Sequence, residues 1–224
     1  MTRPWLLLCS IFLLGNTHVP LGVVSACSKP GYATLTFDDG ITGSSSRILD
    51  ILDKEQVKAA FFIIGETITP KTFPILQRTY KAGHTVGNHT WSHPSLTHLS
   101  EAKLNNEVLT TQNGFLPLAP IPFKRYIRPP YGAINSDVYR MLSREGFTVV
   151  LWNMDIKDWK AYRSRDQLWS SFKRQIDITN PTKNSLIILL HTKEKTADLL
   201  PDIITTLRAK NFQIVSLEKC LSPT

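Results

Sequence analysis

Seven short apolar runs recur along the chain, separated by stretches of helical character, and this alternation restricts the available folds more than any other feature. The runs are YATLTF (32–37), AAFFII (59–64), HTVG (84–87), KRYIR (124–128), FTVVLW (147–152), SLIILL (185–190) and FQIVSL (212–217). Their length and their β-branched and aromatic content read as buried strands. Amphipathic stretches lie between them at 44–56, 70–82, 100–113, 136–145, 164–178 and 196–210. Ser100 and Asn135 stand where N-caps belong, and Gly146 stops a helix. Pro74 and Pro201 must sit near helix starts or kink the helices that contain them.

Repeated strand-then-helix order implies a parallel sheet joined by crossovers. Seven or so such units imply an α/β fold, a distorted (β/α)7 or (β/α)8 barrel in a single domain; an open doubly wound sheet is the alternative. The loop at 114–123 is too short to act as a linker between domains. With 42% apolar residues in 224, the chain has enough material for a full-sized core.

The first residues have a different character. Arg3 precedes the apolar stretch WLLLCSIFLLG (5–15), and the small residues Val24, Ser25 and Ala26 stand before Cys27. This is a secretory signal pattern, too short for a spanning helix, with cleavage expected after Ala26. Residues 1–26 are thus expected to be a leader and 27–224 the functional domain, secreted or wall-bound and with no later membrane segment. Cys9 would leave with the leader, so Cys27 and Cys220 are expected to pair in an oxidising compartment. Such a bridge closes nearly the whole chain, worth about 5 kcal/mol in the loop-entropy picture. Two independent thiols, or lipid attachment at Cys27, are the alternatives.

A formal charge of +8 favours polyanionic surroundings such as a wall. The basic residues are scattered, without an aromatic-interleaved stripe, so no nucleic-acid partner is expected. A monomer is the expected state.

Polar residues collect where the strands end. Asp38 and Asp39 follow the first run, Asn88, His89 and His93 the third, Arg128 to Tyr131 the fourth, Asp155 and Asp158 the fifth, and His191 the sixth. In a barrel these ends share one rim. Adjacent carboxylates on a strand point to opposite faces, so the DDG step can bring both into one site only by turning, which Gly40 permits. His89 and His93, four apart in NHTWSHP, are at metal-binding spacing, although Pro94 favours a tight turn over a helix. Two imidazoles and one carboxylate leave a position open for water, and the second carboxylate is then free to take its proton.

The RPPYG stretch (128–132) is rigid, with Arg128 suited to bidentate grip of a carboxylate and a backbone N–H suited to an oxyanion. His191 closes so apolar a strand that its ring should emerge at the rim. A carboxylate such as Asp155 would fix its tautomer and make it a general acid.

TFDDG, HTWSH, RPPYG, DIKDW (155–159) and LLH (189–191) together resemble, in order and spacing, the five motifs of the polysaccharide deacetylase family, also called the NodB-homology or carbohydrate esterase family 4 domain. The likeness spans about residues 31–218, and it is greatest to the fungal chitin deacetylases, which carry similarly placed cysteines. The resemblance implies a distorted barrel with Asp38 as general base. It implies a divalent ion, Zn2+ or another such as Co2+, on Asp39, His89 and His93. Arg128 would orient the base, the Tyr131 N–H would hold the oxyanion, and His191 would be the acid with Asp155 as its partner. Tyr131, Trp159 and Leu189 would shape the substrate pocket. The implied reaction removes N-acetyl groups from GlcNAc units of chitin or a related polymer and releases acetate. A glycan binder that has lost catalysis, or a deacetylase of peptidoglycan or acetylxylan, are the rivals. Ile41 and Thr192 depart from the family pattern, which often has Pro and Asp there.

Overall fold

The structure is a computed structural model that describes residues 22–118 and 125–222. Its strands are β1 (Val23–Val24), β2 (Tyr32–Asp38), β3 (Ala60–Ile63), β4 (Thr85–Asn88), β5 (Tyr126–Ile127), β6 (Thr148–Val150), β7 (Met154–Asp155), β8 (Leu186–His191) and β9 (Gln213–Ile214). Its helices are α1 (Ser45–Lys54), α2 (Phe73–Lys81), α3 (Glu101–Gly114), α4 (Ser136–Arg144), α5 (Arg165–Asp177), α6 (Glu194–Ala209) and α7 (Leu217–Leu221). All strand pairs are parallel, in the order β1-β6-β5-β4-β3-β2-β8-β7, with β9 also pairing with β2. The sheet curls as a distorted (β/α) barrel left open between β1 and β7.

Parity along the strands divides the interior. Ala33, Leu35 and Phe37 of β2 face outward and pack with Phe61, Ile188 and Leu190 against α1 and α6. Residues of the opposite parity, Ala60, Phe62, Tyr126, Val150 and Ile187, form a second cluster inside the curl. The inward parity of β2 is continued by Thr36 and Asp38, and that of β8 by Leu189 and His191. Period two therefore carries the reactive side chains from the barrel interior onto its rim.

All seven expected strands and six expected helices are present, with ends shifted by up to three residues. Asn135 caps α4 by accepting from the Val138 N–H, and Ser164 forms a capping box with Gln167 on α5. Pro74 lies in the first turn of α2, where its missing N–H is harmless. Pro201, by contrast, stays inside α6. Two strands had no sequence signal, because β1 and β7 are two residues long and edge-placed.

Most of the expected leader, residues 1–21, lies outside the described residues. Its final stretch includes β1, whose Gly22 and Val24 carbonyls accept from the Val149 and Leu151 N–H groups. Cleavage after Ala26 would leave that edge of β6 unpaired. Cys27 and Cys220 are joined as a disulfide, tying the start of the domain to α7. Among the described residues no helix is long and apolar enough to cross a membrane.

Candidate active site

β2 and β8 run in register, with Asp38 opposite His191, so parallel pairing alone sets a carboxylate and an imidazole side by side at the rim. One residue further, Asp39 adopts φ 73° and Gly40 φ 91°. This reversal turns both carboxylates toward the same space. A Cβ at position 40 would stand 2.5 Å from Thr67 Oγ1, so the turn needs glycine for space as well as for φ.

Asp38 is buried and held from below. Arg128, fully buried, donates through Nη1 to Asp38 Oδ1 at 2.7 Å and to Thr36 Oγ1 at 2.9 Å. Its Nε and Nη2 go to the carbonyls of Val150 and Leu151. The expected bidentate grip is therefore a single charge-assisted bond, because the rest of the fork satisfies strand carbonyls left open as β6 ends. The guanidinium also lies over the Phe62 ring at 4.3 Å.

Asp39 faces two histidines. His93 Nε2 is 3.7 Å and His89 Nε2 3.9 Å from Asp39 Oδ1, and the ligand atoms of these three residues all lie within 4.8 Å of one another. Donors around one tetrahedral zinc, each at about 2.0–2.2 Å, are roughly 3.4 Å apart, so a small contraction suffices for a divalent cation. The donor set suits zinc or a similar ion. His89 Nδ1 lies 2.6 Å from the Arg128 carbonyl; with that nitrogen donating, Nε2 keeps its lone pair toward Asp39. Burial lowers the His89 pKa, more than the neighbouring Asp38 raises it, which favours the neutral ring a metal requires.

The histidine loop is shaped by local backbone turns and by hydrogen bonds from β4 and α3. Thr90 and His93 both have positive φ. Asn88, buried at the end of β4, donates to the Val108 carbonyl and accepts from the Thr90 N–H. Asn88-His89-Thr90 has the form of an N-glycosylation sequon, but Asn88 is fully buried. Glu107 of α3 accepts from the N–H groups of Trp91 and Ser92.

His191 forms the opposite wall, and here one expectation is corrected. Its partner is Asp158, not Asp155: Nδ1 lies 2.7 Å from Asp158 Oδ1, and Asp158 Oδ2 accepts from the His191 N–H and the Thr196 hydroxyl. Asp155 pairs across the sheet with Leu189, two residues short of His191. The chain then turns through Lys157 at φ 62°, which lifts Asp158 to the level of His191. Asp155 instead lines the pocket, its Oδ1 accepting from the Lys157 N–H. Burial disfavours charge on the His191 ring, but the hydrogen bond and charge of Asp158, with Asp38 and Asp39 behind it, outweigh burial and raise its pKa.

Between these walls is a pocket of about 520 Å3, lined among others by Tyr131, Trp152, Trp159 and Leu189. Tyr131, at φ 61° after two prolines, packs edge-on against His93 and is 71% exposed; Trp159 is 46% exposed. Trp152 is half-buried against Gly132, where a Cβ would approach it to 3.0 Å. The two departures from the family pattern have local roles: Ile41 is buried in the core, and the Thr192 hydroxyl donates to the Gly40 carbonyl, tying β8 to the carboxylate turn.

Comparison with known proteins supports the resemblance. The family described as polysaccharide deacetylase matches residues 25–150. A peptidoglycan-N-acetylglucosamine deacetylase of Bacillus cereus is 33% identical over 189 residues, covering 82% of this chain and 66% of that protein. A chitin deacetylase of Amylomyces rouxii is 32% identical over 206 residues, 88% of this chain but 48% of that one. The chitin deacetylase structure from Colletotrichum lindemuthianum superposes with a TM-score of 0.83 at 26% identity, covering 90% of this chain and 92% of that chain. Fold, ordered motifs and this match agree that the chain belongs to the polysaccharide deacetylase family, the NodB-homology or carbohydrate esterase family 4 domain.

Proposed function

We propose that the protein is a secreted, metal-dependent deacetylase that hydrolyses the N-acetyl groups of GlcNAc units in chitin or a related wall polymer. The observation that carries this reading is the division of the carboxylate pair. Arg128 holds Asp38 Oδ1, and although Asp38 Oδ2 lies 3.7 Å from His89 Nε2, Asp39 is the one of the two that stands near both imidazoles, 3.7 Å from His93 and 3.9 Å from His89. A divalent ion on Asp39, His89 and His93, zinc or one such as cobalt, would polarise the amide carbonyl and acidify water.

The remaining work falls to the chain. Asp38, oriented by Arg128, takes a proton from the attacking water as its oxygen bonds to the carbonyl carbon. The backbone N–H of Tyr131, set at the pocket wall by RPPYG, donates to the developing oxyanion. His191, whose charged form Asp158 favours and whose ring it orients through Nδ1–H, gives its Nε2 proton to the amide nitrogen. The C–N bond then breaks, leaving acetate and a free amine. Leu189 lines the pocket at the acetyl methyl, and Tyr131 and Trp159 offer rings to the sugar. The Cys27–Cys220 bridge supports an extracellular or wall location.

The test is acetate release from chitooligosaccharides, peptidoglycan fragments and acetylxylan, with and without chelator. Release from the N-acetylglucosamine polymers, abolished by chelator and restored by zinc, is the expected result. No release from any of the three rejects the reading.

A further inference from the structure

The catalytic pocket does not end at Trp152 and Asp155. The same two residues form one wall of an adjoining groove of about 450 Å3 that also includes Lys157, Arg163, Arg174 and Gln175. It runs beside the open edge of the barrel, between β7 and α5, where Gln175 covers the strand by bonding the Asp155 N–H and carbonyl. Its floor is thus fixed by backbone contacts, and only its cations are free to meet a ligand.

Those cations lack counter-ions. Among the described residues Arg47, Arg78, Arg140, Arg144, Arg165 and Arg208 each pair with a carboxylate. Among the described residues none of Lys157, Arg163 and Arg174 has a carboxylate within 4.0 Å; the Arg163 guanidinium meets the neutral Ile156 carbonyl and the Tyr162 hydroxyl. Asp155 is the single acid in the groove lining, so three positive charges face one negative. Lys157 is aimed there by its left-handed backbone, and Lys195 holds the loop beyond it by donating to the Ala161 and Arg163 carbonyls.

We infer that this groove is a subsite for a carboxylate carried by the sugar next to the one that is deacetylated. This deepens the proposed function and rests on it. A neutral homopolymer offers these three cations hydroxyl and carbonyl oxygens but no counter-charge, and a neighbouring unit already converted to a free, protonated amine is repelled. An acidic neighbour is bound by charge-assisted hydrogen bonds of the kind guanidinium groups make with carboxylates. The enzyme therefore prefers an alternating or mixed acidic glycan.

The test compares kcat/KM on chitotetraose with that on a GlcNAc–MurNAc tetrasaccharide, which bears lactyl carboxylates, and on a chitotetraose oxidised to a uronate beside the target sugar. Wild-type protein is expected to prefer at least one acidic substrate by about tenfold at low salt, the preference fading as salt rises. The better of the two identifies the carboxylate source. The double variant Arg163→Gln, Arg174→Gln is expected to lose the preference while chitotetraose turnover changes less than about twofold. Equal wild-type values on all three substrates, or an equal loss on all three in the variant, overturn the subsite. If no substrate is turned over, the proposed function fails, and calorimetric binding of the same three oligosaccharides still decides. Tighter, salt-sensitive binding of an acidic one, lost in the variant, upholds the subsite; equal binding removes it.

Discussion

The two walls of the site are built differently. On one side Asp38, His89 and Arg128 are at most 3% exposed and each is bonded to backbone or to one another across β2, β4, β5 and β6. On the other, around the buried Asp158, the segment from Lys157 to Arg163 is otherwise largely exposed, and its cations have no carboxylate partner among the described residues. The buried wall fixes where a proton and a cation can sit, and its components cannot move independently. The exposed wall can change residue by residue without disturbing the core. We read the first as the place of the chemistry and the second as the place of substrate choice.

The sharpest way to break this comparison is to remove the proton carriers. Asp38→Asn or His191→Gln is expected to reduce acetate release by about 10²- to 10⁴-fold. Metal content measured by mass spectrometry should stay at the wild-type level in the His191 variant. A buried wall also implies coupling to stability. Arg128→Met leaves Asp38 buried without its cation, and denaturant unfolding should register a loss of about 3–5 kcal/mol.

The histidine partner offers a finer test. Asp158→Asn is expected to cost about 10- to 100-fold in kcat, with Asp155→Asn costing less. The pH profile adds a sign. Because the His191 pKa is raised, the acid stays charged above the ordinary histidine range, and activity is lost as pH rises through that raised value. Asp158→Asn should bring this alkaline limb to lower pH; Asp155→Asn should leave it in place.

The smallest expected effect lies away from the site. His84 is buried at the start of β4, its Nδ1 accepting from the Ala59 N–H, and burial lowers its pKa from 6.5 to about 4. The unfolded chain binds that proton first, so stability is full above about pH 6.5 and declines as pH falls toward 4. The loss is about 3 kcal/mol at 1.36 kcal/mol per pKa unit. His84→Asn, with Oδ1 in place of Nδ1 as acceptor, should flatten that decline in urea melts.

Much of this was legible in the sequence because it rests on periodicity. Alternation along TLTF and ILLH sets Asp38 and His191 on the inward face, and the run-and-helix order gives the parallel barrel. What could not be read was the register between strands. Asp155 ends β7 and Asp158 lies in the turn after it, and only the pairing of Asp155 with Leu189 tells which of them reaches His191. Similarly, Asn88 and Glu107 support the histidine loop through contacts 16 to 20 residues away in sequence, a distance local patterns do not span. Thr36 did carry a signal, since it lies two residues before Asp38 on the same face and receives the same Arg128 nitrogen.

The central claim is that the two neighbouring carboxylates have separate tasks. The most direct measurement is anomalous diffraction from crystals grown with zinc. The account requires one zinc peak about 2.0–2.2 Å from Asp39, His89 Nε2 and His93 Nε2, with Asp38 still bonded to Arg128. A peak ligated by Asp38 in place of Asp39, or no peak among these residues at saturating zinc, would contradict it.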